Sequence, residues 1–249
     1  MIKRTIIALL SALAFTSNTI AQERSHFEEE VAIGVQGGLN LAQVRFLHND
    51  VSYANNLGDL GWRSGATAGA SVRFIAQKHF GIQLEANYLQ NGWKEKWKDD
   101  EKIGDISFAD ASTERTINYL SVPVLAHIYF GNTNRLFFNL GPKLAVMVGK
   151  GKNKNNLNEE QKQLILSNNS EDPRLNDKIE PRNMDYGLCA GFGYELHLNK
   201  FSILTEFRYT YGLQDVFDHS RSATFQRSNN QDIQFTLGVM LPVLKFHSN

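Results

Sequence analysis

One cysteine, Cys189, stands in a chain of 249 residues. No intrachain disulfide and no thiolate zinc cluster can therefore form, so stability has to come from burial or from a membrane. Net charge is lacking as well: 26 Lys and Arg balance 26 Asp and Glu, which leaves no basic excess to neutralise phosphates and argues against nucleic acid as a partner. No apolar run reaches the roughly 20 residues that a membrane-crossing helix needs. The stretch Ile6 to Phe15 comes nearest, at about ten residues. It follows Lys3 and Arg4 and leads into small and polar residues ending at Ala21, the anatomy of a secretory signal peptide over 1–21. No metal, phosphate-binding or thiol motif is found, so no cofactor and no metal is expected.

What is present is alternation. Residues 22–30 are polar and acidic and read as a flexible lead-in; from Val31 the pattern switches to a period of two. Eight strands are expected, near 31–44, 64–76, 79–92, 115–130, 135–149, 184–198, 201–213 and 231–246, with 247–249 as a tail. In the third, Ile82, Leu84, Ala86 and Tyr88 oppose Gln83, Glu85 and Asn87. In the seventh, Ile203, Thr205, Phe207, Tyr209 and Tyr211 oppose Glu206, Arg208 and Thr210. The eighth sets Ile233, Phe235, Leu237, Val239, Leu241 and Val243 against Gln234, Thr236, Gly238 and Met240. In the sixth, small residues alternate with bulky ones, as a crowded interior demands. Pro123, Pro142 and Pro242 fall inside these strands and are read as bulges or strand ends near the rims.

Connection lengths alternate too. Gaps after the second, fourth and sixth strands are tight, and those after the first, third, fifth and seventh are long and polar. Short periplasmic turns and long extracellular loops have this asymmetry in transmembrane barrels, whereas a soluble sandwich has no reason to keep it. The expected fold is therefore all-β, an eight-stranded antiparallel transmembrane β-barrel in the outer membrane, with residues 31–246 as the barrel. Aromatic girdles are expected at both interfaces, with Phe74, Phe80, Tyr129, Phe130, Phe138, Phe201 and Phe246 near the periplasmic rim and Trp62, Tyr88, Trp93, Tyr119, Tyr209 and Tyr211 near the outer rim.

Lipid cannot satisfy backbone polar groups, so the strands must close on themselves. At eight strands the interior holds packed side chains or one small ligand and no wide channel. The inward phase, which includes Gln36 and Asn40, is expected to carry an ionic lumen network of Arg73, Glu85, Lys143, Glu195, Glu206 and Arg208, with acids and bases about matched in number. Elsewhere, Asp215, Asp218, His219 and Ser220 in the fourth long loop have the residue types of a nucleophile, base and orienter, but adjacency in a polar loop does not make a catalytic geometry. Glu171, Asp172, Asn176 and Asp177 carry oxygen ligands without the spacing of an EF-hand and read as a solvated acidic patch. Residues 157–166 have the composition of a short surface helix.

Several segments resemble, in order, the successive motifs of PorT-like outer-membrane β-barrel proteins. They are Gly34-Val35-Gln36-Gly37-Gly38-Leu39-Asn40, Gly81-Ile82-Gln83-Leu84-Glu85-Ala86-Asn87-Tyr88 and Asn118-Tyr119-Leu120-Ser121-Val122-Pro123-Val124-Leu125, followed by Asp185 to Glu195 and Phe207 to Leu213. The resemblance implies a Bacteroidetes-type outer-membrane barrel, in a family with one member linked to type IX secretion. The expected role is that of a non-enzymatic barrel with a packed lumen that contacts outer-membrane lipid and envelope or secretion-machinery proteins. Two alternatives differ in testable ways. A lipid-modifying hydrolase or acyltransferase would place His219 and Ser220 at the outer rim, and a soluble exported barrel binding a small apolar ligand would turn its apolar face inward.

Overall fold

In the computed structural model, described residues comprise 28–48, 59–97, 102–103, 105–150, 153–168, 180–217 and 225–247. The expected signal peptide, most of the lead-in, Asp218, His219, Ser220 and the acidic group at 171–177 lie outside them. Eight long strands form the wall: β1 (Glu28–His48), β2 (Arg63–Gln77), β3 (Phe80–Lys96), β4 (Ser112–Phe130), β5 (Asn134–Lys150), β6 (Met184–His197), β7 (Ser202–Asp215) and β8 (Phe225–His247). Each pairs antiparallel with the next, and β1 pairs with β8 from Glu28–His247 out to His48–Phe225, which closes the ring. Closure gives every wall strand a neighbour on both sides, the condition that hydrocarbon imposes on a sheet.

The strands run further than the hydrophobic alternation suggests. Glu28, Glu29 and Glu30, assigned by sequence to the lead-in, pair with His247, Phe246 and Lys245, and Glu30 reaches the Lys245 ammonium at 3.8 Å. Backbone pairing continues where the apolar pattern has stopped, because below the bilayer the outward positions meet water. Above it, the short strand Asp59–Gly61 adds to β3, and Lys154–Asn155 pairs with Thr113 and Glu114 of β4.

Facing follows the period of two around the ring. Ile82, Leu84, Val122, Val124, Phe138, Leu140, Leu188, Phe192, Phe235, Leu237 and Leu241 are exposed, while Gln83, Glu85, Asn139, Glu206, Arg208 and Gln234 are buried. An apolar exterior around a polar interior is the arrangement for a protein whose solvent is lipid, and it rules out the soluble-barrel reading. Three aromatics assigned to the girdles face inward instead. Trp93 and Tyr119 are 1 % exposed and Tyr129 6 %, whereas Trp62, Tyr88 and Tyr209 are exposed and Phe80, Phe201 and Tyr211 half-buried on the outside. Trp93 shares the odd-numbered phase of Gln83 and Glu85, and Tyr129 cannot face lipid beside the exposed Phe130, because neighbours on a strand point opposite ways.

The prolines divide. Pro242 sits at a bulge, where partners step from Val31–Leu244 to Ala32–Pro242 near the periplasmic end. Pro123 and Pro142 lie midway along β4 and β5, not near the rims. The β3–β4 register passes from Leu84–Val124 to Asn87–Ser121, and the β4–β5 register from Pro123–Lys143 to Ala126–Leu140. At Gly141 a Cβ would meet the Val124 carbonyl oxygen at 1.9 Å, so the wall is pinched here. A residue without an N–H is accommodated where the ladder already skips a rung.

The tight turns fall at 78–79, 131–133 and 198–201. His79 and Gly131 adopt left-handed backbone, and His79 Nδ1 lies 3.0 Å from the Tyr129 carbonyl oxygen, tying one turn to the neighbouring strand. Because Leu237 is 60 % exposed at mid-wall, Leu237→Arg should lower stability by about 2–4 kcal/mol in reconstituted vesicles. A denaturant midpoint equal to wild type would contradict the outward assignment.

Candidate functional site

The interior is filled in tiers, and each tier is positioned by the inward phase of the strands. Nearest the short turns, Ala32, Ile75, Tyr129, Phe137, Leu204 and Met240 form an apolar cluster. Arg135 lies over the Tyr129 ring at 4.7 Å and His127 stacks between Tyr129 and Phe137, at 5.7 and 5.3 Å between centroids.

Above it lies a continuous polar chain. Arg73 Nη1 donates to Glu195 at 2.6 Å and its Nε to Gln83 at 2.7 Å; Gln83 donates to Glu85 at 2.5 Å. Glu85 accepts a two-pronged contact from Arg208 at 2.6 and 2.7 Å, and Arg208 also grips Glu206 at 2.9 and 3.0 Å. Asn139 donates to Glu206 at 3.0 Å and accepts from His127 Nδ1 at 2.8 Å. Gln36 donates to Glu85 and to Asn87, each at 3.0 Å, and Asn87 donates to Glu85 at 2.7 Å. The chain touches every wall strand except β8. Planar guanidinium forks suit this cross-bracing because they bind carboxylates at fixed angles.

Lys143 belongs to a separate tier. Its Nζ lies 3.3 Å from Asp232 and 3.7 Å from Asp185; Gln234 donates to Asp232 at 2.7 Å and Asn230 to Asp185 at 3.2 Å. The six charged residues named from sequence are thus all buried, but they divide into two groups, with Lys143 apart from the other five. Among the described residues the buried charges are six acids and five bases, with Glu95, Arg63 and Arg115 added near the outer mouth, so acids and bases are about matched. Two of the acids, Asp185 and Asp232, which hold Lys143, were missed. Extending the alternation of β6 back from Gly187 and of β8 back from Gln234 would have found both.

The outer mouth is closed by Val44, Phe46, Leu89, Trp93, Ile117, Tyr119, Ala145, Val216 and Phe217. Phe46 meets the Trp93 ring edge-on at 5.4 Å, and Phe217 packs on both. Val216 and Phe217 come from the fourth loop, which the sequence presents as polar. They fold back because Val216 N donates to Ser228 O at 2.6 Å and Phe217 N to the Ser228 hydroxyl at 3.1 Å, while Asp215 accepts from Ser228 N at 2.8 Å. Asp215 therefore braces this fold-back. At Gly92, with φ at +133°, a Cβ would meet the Arg115 carbonyl oxygen at 1.9 Å, so only glycine lets β3 carry Trp93 this close to β4.

Beyond the mouth a small second core stands outside the bilayer. Trp97 stacks on Phe108 at 4.8 Å, beside Ala111, Ile106, Leu157 and Leu164. The helix α1 (Glu159–Asn168) supplies Leu164 and starts with a reciprocal cap: Gln161 N donates to Asn158 Oδ1 at 2.7 Å, and Asn158 N to Gln161 Oε1 at 2.9 Å. Gln161 Nε2 also donates to Ser107 O at 2.7 Å, binding the third loop to the second.

Residues 20–218 match the model of the outer membrane protein beta-barrel domain. The chain belongs to this family of outer-membrane β-barrels. It resides in the outer membrane, its short turns facing the periplasm. The solved structure of OprG from Pseudomonas aeruginosa resembles it with a TM-score of 0.45 and 13% identity, over 88% of this chain and 98% of that one. Neisserial surface protein A aligns with a TM-score of 0.40 and 11% identity, over 85% and 99%. The outer membrane enzyme PagL aligns at 0.30 and 11%, over 82% and 99%. No curated protein matches the sequence.

Within the network, Arg208→Met leaves Glu85 and Glu206 buried beside each other and should cost about 3–5 kcal/mol of stability. Combining it with Glu85→Gln should recover part of that loss, giving a coupling of about 0.5–3 kcal/mol in urea unfolding of the vesicle-bound barrel. Additive losses would show that the two side chains act independently.

Proposed function

We propose that this barrel is a sealed, non-enzymatic envelope component that works through the surfaces it presents outside the membrane. The observation that carries the reading is the filled interior. Apolar side chains occupy both ends and hydrogen-bonded charged groups the middle, with Phe217 folded into the outer mouth. A lumen packed this way favours a rigid support over a conduit.

The loop core around Trp97, Phe108 and α1 supports the same reading. A transmembrane wall alone does not need ordered structure beyond its rim, whereas a contact surface does. Partners are envelope proteins, and a secretion machine of the kind implied by the PorT-like resemblance is the specific form this role takes.

Two measurements test the proposal together. In planar bilayers the protein should lack the steady conductance of an open porin. A photo-crosslinking side chain placed at Lys154 or Lys162 on the loop surface should capture one discrete protein in intact envelopes. Steady conductance would overturn the sealed lumen, and no discrete adduct from either position would overturn the contact role.

A further inference from the structure

The outer rim between β1, β7 and β8 carries charge that closure of the wall does not require. Along β8 the outward row runs from Val243 through Leu237 to Ile233, and along β1 from Ile33 to Leu41, with no charged residue in either. Ten residues of strand at about 3.3 Å each, tilted by about 40°, rise about 25 Å, the height of the apolar band of such barrels. The next outward pair, Gln43 and Gln231, face each other across the strands and share a hydrogen bond of 3.1 Å. These amides mark where hydrocarbon ends.

Just beyond them are two arginines. Arg45 lies opposite Asn229 and Leu47 opposite Arg227, which places Arg45 and Arg227 diagonally on one face, both exposed. Two to four residues of tilted strand rise about 5 to 10 Å, reaching the polar layer that adds about 5–7 Å to each side of the hydrocarbon. Tyr209 and Tyr211, paired with Ile233 and Gln231, stand at the boundary beneath. No carboxylate among the described residues forms an ion pair with Arg45 or Arg227. The periplasmic rim of the same strand pair differs, since there Lys245 has Glu30.

We propose that Arg45 and Arg227 form a binding site for the phosphate monoester of a phosphorylated glycolipid in the outer leaflet, with Tyr209 and Tyr211 as its floor. Guanidinium forks bind phosphate oxygens in pairs, and two of them match the near-double charge of a monoester better than the single charge of a phospholipid diester. The head-group layer places that phosphate at the height of the two side chains. This site is independent of whether the loops engage a protein partner.

The test uses the full-length barrel in mild detergent, with bound lipid counted by native mass spectrometry. The probes are lipid A carrying its phosphate monoesters, the same lipid dephosphorylated, and phosphatidylglycerol as the diester. Wild type should bind the monoester lipid about tenfold more tightly than either other lipid, a difference of about 1.4 kcal/mol. Arg45→Gln with Arg227→Gln should abolish that preference while the heat-dependent mobility shift of a folded barrel persists, and Lys150→Gln, at the outer end of β5 across the ring from β1, should leave it intact. Inorganic phosphate at equal concentration should not compete. The site is overturned if the folded double variant keeps the preference, if wild type binds all three lipids alike, if Lys150→Gln abolishes the preference, or if free phosphate displaces the lipid.

Discussion

Hydrocarbon offers no partner to a peptide N–H or C=O, and the rest of this structure depends on that constraint. A sheet in lipid has to close, closure joins the first strand to the last, and pairing from Glu28–His247 to His48–Phe225 does so along nearly the whole of both strands. The same constraint explains how Pro123 and Pro142 survive in mid-wall. Each sits where the register omits a rung, so the missing donor falls at an interruption already present.

Closure with eight strands leaves an interior too narrow for bulk water and too wide to be left empty. Inward charges then have to find each other. Arg73, Glu85, Glu195, Glu206 and Arg208 do so through Gln83, Asn87 and Asn139, which supply the donors and acceptors that the ion pairs alone leave open. Such a network contributes more to a single arrangement of the wall than to its net stability, since removing charges from water offsets much of their attraction. The aromatic cluster at the mouth and the smaller one near the turns keep the polar middle from solvent at either end.

Sequence alternation revealed the strands and their facing because side-chain direction in a strand is strictly local. It was less reliable where composition was allowed to outweigh phase. Trp93 and Tyr129 have the chemistry of girdle residues, but their parity is that of the lumen, and parity decides. Asp185 and Asp232 were legible in the same way, by continuing an alternation already recognised. The fold-back of Val216 and Phe217 had no such signal. Two apolar residues in a polar loop carry no period, and their destination depends on Ser228 from the next strand and on the rings of Phe46 and Trp93.

By itself the sequence determined that the chain is a barrel with one face for lipid, and which residues take that face, because a period of two is written in consecutive positions. It also determined which ends carry the long loops, through the lengths of the connections. Only the tertiary structure decided which inward charges meet, how they separate into two groups, and that the mouth is closed by a loop. Those outcomes depend on the stagger between strands distant in sequence. A two-residue slip would keep every side chain on its own face while exchanging its partners across the lumen, whereas a one-residue slip would turn the charges to the lipid.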